Sequence, residues 1–133
     1  MDIELLEKEL RKKICDTIEI IPDGTDKFFI GVPFTFGDGD FLNVILKKNR
    51  ICWYFTDEGH TFMHLSYEDL DFDRGKRKEI LDLVLKTHDI ENHNGELISE
   101  VEDDNIGDTF YTFIQGLIKV TDIVLTKKEH IIT

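Results

Sequence analysis

Residues 28–56 read FFIGVPFTFGDGDFLNVILKKNRICWYFT and set the architecture of the chain. The stretch holds three apolar runs rich in aromatic and β-branched residues, at 28–35, 41–47 and 51–56. Such residues favour strands because they pack well on a pleated surface. Short turn-like breaks separate the runs, Gly37-Asp38-Gly39-Asp40 and Lys48-Asn49-Arg50. Breaks of this length join strands that run in opposite directions, so the sequence predicts a three-strand antiparallel meander.

Helices and a hairpin are predicted on either side of the meander. Helical spacing of apolar residues indicates helices at 3–14, at about 60–67, at 74–87 and from a cap at Asp103 or Asp104 to about Lys127. Asn94-Gly95 lies between short strand-like runs at 89–93 and 96–101, a strong hairpin signal because both residues tolerate positive φ. Gly116, inside the last helix, predicts close backbone contact at that point.

The element order predicts one α+β domain across residues 1–133. Its mainly antiparallel sheet has about five strands, the meander plus the hairpin, and residues 18–22 are compatible with a further short strand. An N-terminal helix, one or two middle helices and a long C-terminal helix flank this sheet. The core is predicted over about 3–127, and the tail at 128–133 is predicted to fray.

The charge balance limits the classes of partner. Sixteen Lys and Arg stand against twenty-eight Asp and Glu, which gives a formal charge of −12. Proteins gain affinity for nucleic acids by neutralising phosphates, so this balance argues against a generic duplex binder and against a protein that binds an anionic membrane surface.

The chain shows no signal peptide and no apolar run near the ~20 residues of a membrane span, which predicts a cytoplasmic protein. Cys15 and Cys52 are too few for a disulfide framework.

The acids are concentrated between residues 89 and 108. Eight Asp and Glu lie there with no Lys or Arg, and they account for −8 of the −12. One interpretation is a solvated face that keeps the protein soluble. The other is a negative patch that binds a basic protein partner, with association accelerated by charge and sensitive to salt. The residues predicted for this patch are Glu96, Glu100, Glu102, Asp103, Asp104 and Asp108.

A second cluster carries metal-ligand side chains, Asp57, Glu58, His60 and His64. In a helix, His60 and His64 are four residues apart on one face, a spacing that suits one divalent metal ion. The competing interpretation is a turn at a helix start, with a carboxylate near the positive amino terminus and Gly59 required by the backbone. No cofactor is predicted, and the metal site is kept as the alternative.

The run WYFTDEGHT at residues 53–61 resembles the family called domain of unknown function 1828. Other similar features follow in the family's order: a Pro-containing strand ending in Asp40, a Leu near 65–70, Lys-Arg-Lys-Glu-Ile at 76–80, Asn-Gly-Glu-Leu at 94–97 and an Ile/Leu-rich helix at 113–125. The resemblance covers about residues 10–126, with His60 where the family more often has an aromatic residue. It implies a small prokaryotic protein, often encoded near mobile elements. It implies no activity, so no catalytic residue is carried over.

These observations favour a non-enzymatic intracellular binding or regulatory protein. Its most concrete form is a phage- or mobile-element-encoded inhibitor that binds a basic host defence nuclease through the acidic surface. A metal-dependent hydrolase or nuclease that uses Asp57, Glu58, His60 and His64 is the first alternative. A small-ligand or nucleotide-binding module is the second, because the apolar meander could supply a pocket. A homodimer through edge strands is also compatible with the sequence.

Overall fold

The computed structural model describes residues 1–36, 39–66, 72–102 and 104–123, and the predicted frayed tail lies outside these ranges. Within them the chain forms four helices and six strands. In chain order these are α1 (Ile3–Cys15), β1 (Glu19–Pro22), β2 (Lys27–Gly31), β3 (Val44–Lys48), β4 (Trp53–Thr56), α2 (His60–Ser66), α3 (Gly75–Thr87), β5 (Glu91–His93), β6 (Glu96–Glu100) and α4 (Ile106–Thr121).

The strands form one antiparallel sheet in the order β1-β2-β3-β4-β6-β5. The predicted α+β class, with a meander and a hairpin, is therefore confirmed. The sheet has six strands rather than about five, because β1 pairs with β2 along its whole length. The hairpin joins the meander where Tyr54 of β4 lies opposite Glu100 of β6. The outer strands, β1 and β5, have four and three residues.

The chain reverses direction between β2 and β3 where predicted, but both strands are shorter than predicted. β2 ends at Gly31 and β3 begins only at Val44, while Thr35 and Phe41 form an antiparallel bridge in the connection. Pro33 explains the early end, because proline has no N–H to donate to a strand ladder. The connection still contributes three buried side chains to the core, those of Val32, Phe36 and Leu42.

The β5–β6 hairpin has the predicted turn. Asn94 and Gly95 form its two-residue loop, and both have positive φ, 55° and 96°. This geometry matches the right-handed twist of the flanking strands. The Asn92 side chain secures the turn by accepting a hydrogen bond from the Gly95 N–H at 2.7 Å.

Helix α4 packs on the sheet and fills the core. Its buried residues are Phe113, Ile114, Gly116, Leu117, Val120 and Thr121. The predicted cap is wrong: α4 begins at Ile106 after Asn105, whose side chain makes no capping hydrogen bond, while Asp104 is exposed before it. Asp103 lies outside the described residues, as does the predicted helix end at Lys127.

The predicted close contact at Gly116 is confirmed, because an added Cβ would overlap Ile90 Cδ1 and approach His88 Cβ to 3.0 Å.

Helix α1 is the predicted amphipathic N-terminal helix, but none of its residues is buried. Its carboxyl end is fixed by local hydrogen bonds: the Asp16 N–H donates to Lys12 O, and the Thr17 hydroxyl to Lys13 O and Ile14 O. The apolar side chains of α1 therefore face solvent from a well-formed helix. None of the described helices has the length and apolarity needed to cross a membrane.

Candidate functional site

Asp57 connects three elements at the junction of β4, α2 and β6. Its fully buried carboxylate accepts hydrogen bonds from the backbone N–H groups of Gly59 at 2.8 Å, Thr61 at 3.2 Å and Leu97 at 2.9 Å. Glu58 and Gly59 both have positive φ, 52° and 82°, which turns the chain tightly enough for this contact. One side chain thus holds the start of α2 against a strand 40 residues away.

His60 and His64 lie in α2, as predicted, but their rings contact different groups. His60 Nδ1 is 2.8 Å from the backbone oxygen of Asp57. The His64 ring stacks on Phe36 with 4.0 Å between ring centroids, and its Nε2 lies 3.9 Å from an Asp40 oxygen. The two imidazoles are therefore held in separate surroundings on the helix.

The four predicted metal ligands are neighbours in sequence without converging on one point. Both oxygens of Asp57 already accept backbone N–H groups, and Glu58 bonds to Lys47 at 2.8 Å. Across the parts of the chain that the structure describes, no group of three or more His, Cys, Asp or Glu is placed to hold a metal ion. A metal would have to displace these donors, so the metal site stays a prediction and Asp57 has a clear structural role.

Glu58 is the centre of a charged cluster that includes residues from β2 and β3. Its carboxylate lies 2.8 Å from Lys47 Nζ and 3.6 Å from Lys27 Nζ. The hydrogen bond from Lys47 lowers the pKa of Glu58, and the same bond raises the pKa of Lys47. The Thr56 hydroxyl is nearby, accepting from the Glu58 N–H at 2.9 Å and donating to Glu96. Glu96, predicted for the acidic patch, therefore belongs to this cluster.

The lowered pKa of Glu58 predicts an acid-dependent loss of stability. Ionised Glu58 stabilises the fold above its unfolded pKa, near 4.5, and this contribution is lost as pH falls through the lower folded pKa. We expect wild type to lose more stability than Glu58→Gln as the pH falls below the unfolded pKa of 4.5, measured by urea denaturation. The control is Glu79→Gln, since Glu79 pairs with Lys76 on an exposed surface. Parallel pH profiles for wild type and Glu58→Gln would contradict this expectation.

An acidic cleft of about 170 Å³ lies where β6 meets the amino end of α4. Its lining residues are His88, Asp89, Ser99, Glu100, Glu102, Asn105, Asp108, Thr109 and Thr112. Four of them are carboxylates, and none of these lining residues is Lys or Arg. The structure thus brings together Glu100, Glu102 and Asp108 of the predicted patch and adds Asp89, while Glu96 and Asp104 are not in the lining.

The fold gives a physical reason for acids at this place. The amino end of a helix carries partial positive charge, and Asp108 lies in the first turn of α4. His88 forms one wall of the cleft. Its Nε2 lies 3.2 Å from Lys119 Nζ, and its Nδ1 lies 2.7 Å from Val84 O. A carbonyl acceptor at Nδ1 and a lysine donor at Nε2 match a ring that carries its proton on Nδ1. The cleft therefore combines carboxylates with a fixed imidazole and several hydroxyl groups.

Two further concave surfaces have different chemistry. The apolar groove, of about 340 Å³, is lined entirely by the apolar residues Ile18, Ile20, Phe28, Ile30, Leu46, Phe55, Ile106, Gly107 and Phe110. A pocket expected from the apolar meander would correspond to this groove. The other cavity, of about 590 Å³, is mixed in polarity and includes Ser66 and Phe72, the residues on either side of 67–71, which lie outside the described ranges.

Comparison with known proteins identifies the family. The family described as Domain of unknown function DUF1828 matches residues 32–120, more than half of the chain. This segment contains the Asp57 junction and all residues that line the acidic cleft, whereas α1, β1 and β2 precede it. No curated protein and no solved structure matches the chain. The match over residues 32–120 shows that the chain belongs to the DUF1828 family, a family of unknown function.

Proposed function

We propose that the protein is a non-enzymatic binding protein that receives a basic segment of a partner protein in the acidic cleft. The observation that carries this proposal is the composition of the cleft. Four of its lining residues are carboxylates, and none of the lining residues is Lys or Arg. A cationic side chain from a partner would be attracted to these carboxylates.

Arginine is the side chain that suits this surface best. Its guanidinium group presents five N–H donors in a planar fork that can bind carboxylates in pairs. The cleft supplies further acceptors in the Asn105 amide and the hydroxyls of Ser99 and Thr109. The formal charge of −12 would steer a basic partner towards the protein from a distance and make association sensitive to salt.

The more specific version of the proposal is a phage- or mobile-element-encoded inhibitor of a host defence nuclease inside the cell. A nuclease channel carries basic residues that bind the phosphates of its substrate. An acidic protein can compete for those residues because its carboxylates present a similar negative charge. The net charge and the resemblance to a family often encoded near mobile elements support this version.

Charge reversal in the cleft tests the proposal. We expect Glu100→Lys combined with Glu102→Lys to weaken partner binding at least about tenfold, chiefly by slowing association. The matched control is Glu79→Lys combined with Glu91→Lys, which changes the net charge equally at exposed positions outside the cleft. Both pairs leave Asp108 intact, because this acid lies in the first turn of α4.

The partner is first isolated from nuclease-treated prokaryotic lysate on immobilised wild-type protein, at low and at high salt. Association and dissociation rates are then measured with the purified partner for wild type and both variants. Binding that is weakened by the cleft variant and kept by the control would support the proposal. Equal binding by both variants, or an unchanged salt dependence in the cleft variant, would reject it.

A further inference from the structure

The exposed face of α1 carries a continuous apolar stripe. Its residues are Ile3, Leu6, Leu10 and Ile14, and between 40% and 71% of each is exposed. At about 100° per residue, this spacing places all four side chains on one side of the helix. A contiguous apolar surface of this kind marks an interaction site more often than a bare solvent face.

The charges beside the stripe are ordered along the helix. On one flank, Glu4 and Glu7 come near the amino end and Arg11 near the carboxyl end. On the other flank, Asp2 and Glu9 come before Lys13. Each flank therefore changes from negative to positive in the same direction.

We infer that α1 pairs with α1 of a second copy of the chain in antiparallel orientation. This arrangement places Ile3 opposite Ile14, and Leu6 opposite Leu10. In an antiparallel pair, each flank faces the same flank of the second helix with its direction reversed. Glu7 then lies against Arg11 and Asp2 against Lys13, and the two-fold axis repeats each attraction, so that they outweigh the single contact between the two Glu9 side chains at the axis.

The opposite orientation is disfavoured by the same charges. In a parallel pair, one flank faces the other flank at similar height. Glu7 would then lie near Glu9, and Arg11 near Lys13, so like charges would meet at both ends. The antiparallel pair has a two-fold axis and closes at two copies, because each stripe is covered by the other.

The first test is the mass of the protein in solution. Sedimentation equilibrium at high micromolar concentration is expected to give twice the chain mass of 15.6 kDa, and Leu6→Ser with Leu10→Ser to give the single chain. Thermal unfolding should be unchanged in this variant when both proteins are diluted until the wild type is monomeric, since α1 has no buried residue. Leu83→Ser, at an exposed leucine of α3, is the matched control and should remain a dimer. Ile20→Ser, in the apolar groove, should also remain a dimer.

A wild type that stays at the single-chain mass would overturn the inference. A dimer that survives in the α1 variant, or one that is lost in Ile20→Ser alone, would place the contact at the apolar groove or elsewhere and would also overturn it. These outcomes are independent of the acidic-cleft proposal, because none of the α1 residues lines the cleft.

The second test is helix orientation, read from charge reversals. In the antiparallel pair, Glu7→Lys alone and Arg11→Glu alone each place like charges together and should weaken the dimer about fivefold or more. An equal mixture of the two variants should restore a dimer, because both pairs of charges are then opposite. A parallel pair would respond differently: Glu7→Lys alone would strengthen it, since the introduced ammonium group would face Glu9. That result would reject the antiparallel pair.

Discussion

Replacing Asp57 with alanine is expected to lower the free energy of unfolding by about 4 kcal/mol. The substitution removes the acceptor for three backbone N–H groups, those of Gly59, Thr61 and Leu97. Each buried donor left without a partner costs about 1–3 kcal/mol, and the loss detaches the start of α2 from β6 as well. Urea denaturation followed by circular dichroism at neutral pH measures the change.

Two companion variants make the Asp57 result specific. Asp57→Asn keeps one acceptor oxygen and is expected to lie between wild type and alanine. Asp82→Ala removes an aspartate that pairs with Lys78 on the exposed face of α3, and should leave the free energy of unfolding nearly unchanged. A loss below about 1 kcal/mol for Asp57→Ala would mean that the three donors find other partners easily.

Gly116→Ala is expected to destabilise the protein by about 1–3 kcal/mol, although alanine is the better helix former. The added methyl group would overlap Ile90 Cδ1 and press on His88, two residues at the base of β5. Overlap inside a packed core forces side chains or backbone to move, which outweighs a propensity gain of about 1 kcal/mol. The same denaturation experiment measures this effect.

A second glycine of α4 provides the matched control for Gly116. Gly107 has no atom within 4 Å of an added Cβ, so Gly107→Ala should stabilise the protein by about 0.5–1 kcal/mol. Ile90→Val removes the atom that overlaps, so the double variant Gly116→Ala with Ile90→Val should recover part of the loss. If both alanine variants stabilise the protein alike, the close packing at Gly116 does not control stability.

The elements that could be predicted from the sequence are those whose signal is local. The hairpin at Asn94-Gly95 was predictable because two adjacent residues specify the turn. The buried face of α4 was predictable because Phe113, Leu117 and Val120 recur at helical spacing. The early end of β2 was also indicated, in retrospect, by Pro33, although the apolar pattern continues beyond it.

The candidate sites depended on contacts between distant segments, and sequence spacing does not report these. The spacing of His60 and His64 correctly indicated a helix, but Phe36 and Asp40, which contact His64, precede β3. In the same way, the acidic segment was visible as a run of charge. Which acids share the cleft depends on how β6 pairs and on where α4 begins, so Asp89 could not be assigned to the cleft from sequence alone.

The short outer strands of the sheet affect how the protein behaves when it is concentrated. Exposed strand edges can recruit further strands and seed fibrillar aggregation. Here β1 ends in Pro22, which has no N–H to offer, and β5 has only three residues. Both edges therefore make poor templates for growth by strand addition. At high expression the protein should therefore form monomers or small oligomers held by side-chain contacts, and not fibrils that grow by strand addition.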